Sequence, residues 1–162
     1  DIVFWGYGGG VAAHFVAGFL IDRIGRKRTC AGFYVAAAIS IFLLYHVPTL
    51  RGQYVWMVMT VFSFGAAMTA THVYASELFP TEIRATGYGW TTNLMGRITE
   101  VVTPMAIGLL IPLMSDSIPN AIAVVAVGPI LGALLVLRYA PETRGMTLEQ
   151  VQEALAAPGT RS

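Results

Sequence analysis

The sequence has little charge. Lys, Arg, Asp and Glu make up 12% of its 162 residues, about half the share of roughly 25% in a typical soluble domain. A soluble chain of this length has a large surface to cover and needs more charge than that. A chain solvated by lipid does not. There is one cysteine, Cys30, which excludes an intramolecular disulfide and leaves the redox compartment open. No basic n-region or cleavage site precedes the first apolar run. Asp1 leads straight into it, which reads as truncation at a helix edge and not as a natural start. No metal-ligand cluster, phosphate loop or nucleophile–base constellation is present. Gly8-Gly9-Gly10 has neither a preceding strand nor G-x-G-x-x-G spacing. An enzyme is therefore not expected, nor a cofactor, a metal or a nucleic-acid partner.

Long apolar runs take the place of charge, at 56% hydrophobic residues. A helix needs roughly 20 apolar residues to cross a hydrocarbon core of about 30 Å. Residues 2–21, 29–45, 54–76, 88–112 and 121–137 meet or approach that length. Lipid offers no hydrogen-bond partner, so each run must satisfy its backbone internally or in a closed barrel. Barrel strands alternate apolar and polar residues, whereas these runs are apolar all round. The expected fold class is an all-α membrane protein, with residues 1–139 forming a bundle of five transmembrane helices. Residues 140–162 read as a polar tail. Within it, 147–157 places Leu148, Val151 and Leu155 on one face and predicts a short amphipathic helix. Pro104 and Gly128-Pro129 fall inside spans and predict kinks. Gly10 and Gly18, with His14 between them, predict close helix packing, either static or between surfaces that rock.

Orientation follows from the cations. Five helices put Arg23, Arg26, Lys27, Arg28, Arg84, Arg138, Arg144 and Arg161 on one side and Arg51 on the other, with Arg97 inside a span. The positive-inside bias makes the first side cytoplasmic, tail included. A multi-pass protein of the cell (inner) membrane is expected.

Three segments carry a resemblance. The first is Gly18-Phe19-Leu20-Ile21-Asp22-Arg23-Ile24-Gly25-Arg26-Lys27-Arg28. It is similar to the G-x-L-x-D-R-x-G-R-[KR] loop of the major facilitator superfamily. Glu77-Leu78-Phe79-Pro80-Thr81-Glu82-Ile83-Arg84-Ala85-Thr86-Gly87 resembles the E-x-x-P-[TS]-x-x-R-[AG]-x-G loop of its sugar-porter-like and metabolite:proton symporter branches. Pro141-Glu142-Thr143-Arg144-Gly145 resembles their P-E-T-[KR]-G signature, which follows the twelfth helix. The resemblance implies that the five spans are helices eight to twelve of two six-helix halves with a substrate path between them. The remaining seven helices are then missing from this sequence.

The same resemblance implies a cytoplasmic gating network of Asp22, Arg23, Arg26, Glu77, Arg84, Glu142 and Arg144. The alternative is static bracing of the loops. Exposed ion pairs contribute only ~0–1 kcal/mol each, which suits a latch that opens every cycle. Arg97 and Glu100 lie about nine and twelve residues into the fourth span, ~14 and ~18 Å deep at ~1.5 Å per residue. Charge at that depth is costly, paired and functional by default. At i and i+3 the two can pair with each other. In the resembling branches an Arg is common at the Arg97 position, whereas Glu100 replaces a residue that is usually small. Glu100 is either a proton-coupling carboxylate or a local counter-ion for Arg97. Asn93, His14, His72 and Tyr74 are further candidates for the substrate or proton path. The histidines suit either proton relay or a neutral, hydrogen-bonded role.

Together these features point to secondary active transport of a small metabolite, with an organic or aromatic acid favoured by the buried Arg97 and protons as the coupling partner. A sugar or polyol porter is the alternative within the class. A non-transporting membrane sensor or scaffold is the alternative outside it. Lacking seven helices, this chain is expected not to transport by itself.

Overall fold

The computed structural model describes residues 2–147, 149–151 and 153, and every regular element among them is helical. In chain order these are α1 (Ile2–Ile24), α2 (Arg26–His46), α3 (Leu50–Leu78) and α4 (Arg84–Tyr88). A π-helical turn over Gly89–Leu94 follows, then α5 (Met95–Leu113), α6 (Ile118–Val125) and α7 (Val127–Tyr139). The run from α4 through the π-turn to α5 is one span, and α6 and α7 make another. Among the described residues five helices are therefore long and apolar enough to cross a membrane: Phe4–Ile24, Arg26–His46, Leu50–Leu78, Arg84–Leu113 and Ile118–Tyr139.

The helices extend beyond the apolar runs because polar residues cap them. α2 begins at Arg26, inside the basic run, where Gly25 at φ 105° ends the preceding turn. α3 begins at Leu50 because the Thr49 hydroxyl accepts from the Gly52 N–H at 3.2 Å. Ser117 does the same for α6, accepting from Asn120 N–H at 3.4 Å. Such caps satisfy N–H groups that a helix start otherwise leaves unpaired. In the tail, the Gln150 N–H donates to Thr147 Oγ1 and the Thr147 N–H donates to Gln150 Oε1, a reciprocal capping box. Val151 is buried beyond it. Leu148 and Leu155 of the expected amphipathic face, and Arg161, lie outside the described residues.

Pro129 has no N–H to offer the Val125 carbonyl, and the fifth span breaks there, at Ala126. Pro104 ends no element, since α5 runs through it. The irregularity of the fourth span lies instead at Gly89–Leu94. There the Thr91 and Thr92 hydroxyls donate to the Gly87 and Tyr88 carbonyls at 2.9 and 2.6 Å. These bonds serve carbonyls whose helical ladder the wider turn disturbs.

α3 is the central helix, with α1 on one side and α2 on the other, and α2 backs onto α7. Small residues set the α1–α3 seam. Ala13, Ala17 and Ala66 are fully buried. A methyl group added at Gly65 would stand 3.5 Å from the Gly10 carbonyl oxygen. Gly18 faces open space, so Gly10 provides the close approach and Gly18 does not. In lipid, where helices gain nothing from hiding apolar surface from each other, such contact drives association. The α3 hydroxyls add cross-links. Thr69 and Thr71 donate to the Gly65 and Ala67 carbonyls, so their oxygens accept from His14 Nδ1–H at 2.5 Å and Tyr34 O–H at 2.8 Å. The fourth span differs, since α4, the π-turn and α5 contain no buried residue.

Candidate functional site

Helix ends gather at one end of the bundle: the α1–α2 turn, the C-terminus of α3, the start of α4 and the chain leaving α7. All three sequence motifs meet here. Gly25 cannot cap α2, having no side chain, and the cap comes from the tail. Glu142 Oε1 accepts the Arg26 N–H at 2.8 Å and the Arg144 N–H at 3.2 Å. An anion at a helix N-terminus is favoured by the helix dipole and by the charge on the acceptor. The Arg26 side chain turns to α3. Its Nε donates to Glu77 Oε1 and Oε2 at 3.1 and 3.2 Å, and its Nη2 lies 3.1 Å from Oε1. Thr143, buried beside them, donates its hydroxyl to Glu77 Oε2 at 2.5 Å. The buried Tyr74 hydroxyl donates to the Pro141 carbonyl. Pro141, Glu142 and Thr143 thus fasten to α3, α2 and α3 in turn.

The expected gating residues divide into two groups. Arg26, Glu77 and Glu142 belong to this cluster. Asp22 stands at its rim, 3.7 Å from Arg26 with its side chain 79% exposed. Arg23 lies over the Phe19 ring, 4.5 Å from its centre. Arg84 donates to Thr81 in its own loop at 3.3 Å, and no bond from it to Glu77 or Asp22 is found among the described residues. Arg144 joins through its backbone and its side chain is exposed. Gly87, the last motif glycine, lies under the Phe79 ring, which a methyl group there would meet at 2.5 Å.

Thr143 is the member that charge pairing overlooks, because a hydroxyl leaves no trace in a charge map. Its signal in the sequence is positional: it sits between Glu142 and Arg144 in the Pro141–Gly145 segment. Replacing Thr143 by Val keeps its shape and removes a hydrogen bond to a charged acceptor, worth about 1.5–3 kcal/mol. The expected result is faster amide exchange over residues 141–146 with α1 unchanged, read by mass spectrometry.

The second set of charges is on the fourth span. Arg97 Nη1 lies 2.7 Å from Glu100 Oε2, with the side chains 76% and 64% exposed. Arg97 opens onto a hollow of about 520 Å³ running along its own helix, with Asn93, Trp90, Gly89 and Thr86. Glu100 lines a different space, a cleft of about 650 Å³ between α2, α3, α5 and α7, together with Thr92, Thr99, Thr103, Tyr34 and His72. The His72 ring meets the Tyr88 ring edge-on at 5.7 Å. His14 lies apart from both spaces, on α1, with its ring held by Thr69. Tyr74 lies at neither space, but at the tail anchor.

Residues 7–155 match the family described as Sugar (and other) transporter. The chain belongs to this family of the major facilitator superfamily. The niacin transporter NiaP of Acinetobacter baylyi is 29% identical over 83% of this chain and 30% of its own length. The putative metabolite transport protein YaaU of Escherichia coli is 30% identical over 80% of this chain and 29% of its own. Solute carrier family 22 member 6 of Pseudopleuronectes americanus is 33% identical over 89% of this chain and 26% of its own. The chain thus spans less than a third of the length of these relatives. The family and these relatives are transporters and not enzymes, and the five-helix bundle is consistent with part of their fold.

Proposed function

We propose that this chain is part of a secondary transporter that carries a small organic acid across the inner membrane together with a proton, by alternating access. The Arg97–Glu100 pair is the observation that carries this reading. A charge at the bilayer centre costs about 2.5–3.5 kcal/mol on insertion scales. Both side chains stand exposed on a span in which α4, the π-turn and α5 contain no buried residue. Lipid is a poor neighbour for them, so that face belongs against a water-filled path. A guanidinium presents a planar fork of donors that fits a carboxylate. Trp90 and Asn93 beside it offer a ring face and an amide to an aromatic acid. Niacin, named for the Acinetobacter relative, is such an acid.

The rest of the path belongs to the missing N-terminal helices of the same transporter, and the chain alone is not expected to transport. The basic end, with the tail, faces the cytoplasm. There Arg26, Glu77, Glu142 and Thr143 brace this half internally, and the exposed Asp22 and Arg144 are left to make and break gating contacts with the other half. The hydroxyls of Thr92, Thr99 and Thr103 support a polyol as the second reading.

Proteoliposomes carrying the full-length transporter test both. Radiolabelled nicotinate or benzoate is expected to accumulate against its gradient when the outside is acidic, and to leak away when a protonophore is added. Accumulation of glucose or arabitol in place of either acid would favour the polyol reading. Binding without flux of any of them would favour a sensor.

A further inference from the structure

We infer that Glu100 is a built-in competitor of the substrate carboxylate for Arg97, and that protonation of Glu100 frees Arg97 to take the substrate. This rests on the reading of Arg97 as the carboxylate site. It merges the two roles open to Glu100, because the counter-ion and the proton acceptor become one group at two stages of the cycle.

The geometry suits an exchange. The pair is close, at 2.7 Å, and both side chains are largely exposed, so parting them disturbs no packing. The two charges look onto different spaces and meet on the strip between. Arg97 lines the hollow with Trp90 and Asn93, and Glu100 lines the cleft with Thr99 and Thr103. A substrate carboxylate entering the hollow meets Arg97 in a space that Glu100 does not line. Pro104 lacks the N–H that would bind the Glu100 carbonyl, so the helical ladder loses that bond at the same turn. The groups facing Glu100 are few among the described residues. Across the cleft stand His72 on α3 and Tyr34 on α2, α7 contributes Pro129, and α6, on which α5 rests, carries no titratable side chain.

Charge arithmetic then couples the two ligands. The empty site holds a guanidinium and a carboxylate, so its net charge is zero. A proton taken up on Glu100 breaks the ion pair and leaves a neutral carboxylic acid and a free guanidinium. A monocarboxylate bound to Arg97 brings the sum back to zero. Empty and fully loaded sites are both neutral, while proton alone or substrate alone leaves one uncompensated charge within the span. An uncompensated charge is the form that is costly to carry from one side of a membrane to the other, so the site reorients empty or with both ligands. One proton accompanies each monocarboxylate.

The test uses the full-length transporter in proteoliposomes, with benzoate as the probe, comparing wild type, Glu100→Gln and Glu100→Asp. If the ion pair leaves Arg97 free in about one carrier in ten, apparent affinity at alkaline pH is tenfold weaker than intrinsic. Glu100→Gln is expected to bind benzoate about tenfold more tightly there, with no pH dependence. It should still exchange benzoate for benzoate, through its neutral loaded form, while accumulation driven by a pH gradient falls to background. Glu100→Asp should keep coupled accumulation, with a displaced pH profile. PH-driven accumulation by Glu100→Gln, or its retention of the wild-type pH dependence, overturns the inference and leaves Arg97 as the carboxylate site intact. If wild type binds benzoate normally and Arg97→Ala binds it equally well, the underlying reading of the site fails instead.

Discussion

Arg97→Ala is expected to lower carboxylate uptake by about two orders of magnitude. A hydrogen bond between charged partners is worth about 1.5–3 kcal/mol, and each 1.4 kcal/mol is tenfold. Two losses combine. The substrate loses its guanidinium, and Glu100 is left as a lone carboxylate within the span, which destabilises the helix in the membrane. The double variant Arg97→Ala, Glu100→Gln separates them. It removes the orphan charge, so amount and thermal stability in detergent should return toward wild type while uptake stays lost. Arg97→Lys keeps the charge and gives up the planar fork, so it should fall between wild type and Arg97→Ala. Uptake within a factor of two of wild type in Arg97→Ala would remove this residue from the path.

How far the sequence reveals these features depends on how local their causes are. The five spans are legible because a helix in lipid must be apolar over its whole length, a property of consecutive residues. The Arg97–Glu100 pair is legible for the same reason: a separation of three residues fixes which helix face both occupy. The start of α2 is not. Residues 26–28 look like loop, and they are helical because a carboxylate from position 142 caps the Arg26 N–H. Arg84 is the reverse case: it flanks the same loop as Glu77, yet its guanidinium bonds Thr81 within that loop. The π-turn is not legible in the sequence, because Gly87, Gly89, Thr91 and Thr92 are ordinary in a membrane span, and only the hydroxyl-to-carbonyl bonds reveal what they do together. Tyr74 reads from sequence as a possible wall of the path, yet its hydroxyl holds the tail, a contact 67 residues away.

Gly25→Val is expected to dismantle the charged end of the bundle. Two independent reasons converge on this position. Its backbone, at φ 105° and ψ 161°, lies in a region essentially reserved for glycine, and a side chain there costs about 1–3 kcal/mol in strain. A Cβ would also stand 2.6 Å from Glu142 Oε2 and 2.9 Å from Oε1. The carboxylate cannot simply retreat, because Oε1 holds the Arg26 N–H. Moving it uncaps α2, at about 1 kcal/mol, and pulls on Pro141 and Thr143, which are fastened to Tyr74 and Glu77. Against a net stability of about 5–15 kcal/mol for a typical domain, that combination is large. Gly25→Val should therefore lower the detergent melting temperature markedly and raise amide exchange at residues 22–30, 74–78 and 141–146 together. Glu142→Ala provides the second leg of the argument. It removes the carboxylate that collides but leaves the backbone requirement in place. Gly25→Ala in the Glu142→Ala background should still lose the strain energy. If it loses none, the glycine is there to admit the carboxylate and the unusual φ is a consequence of the close approach. If it loses the full amount, the turn itself demands glycine, and Glu142 occupies space that the missing side chain leaves open.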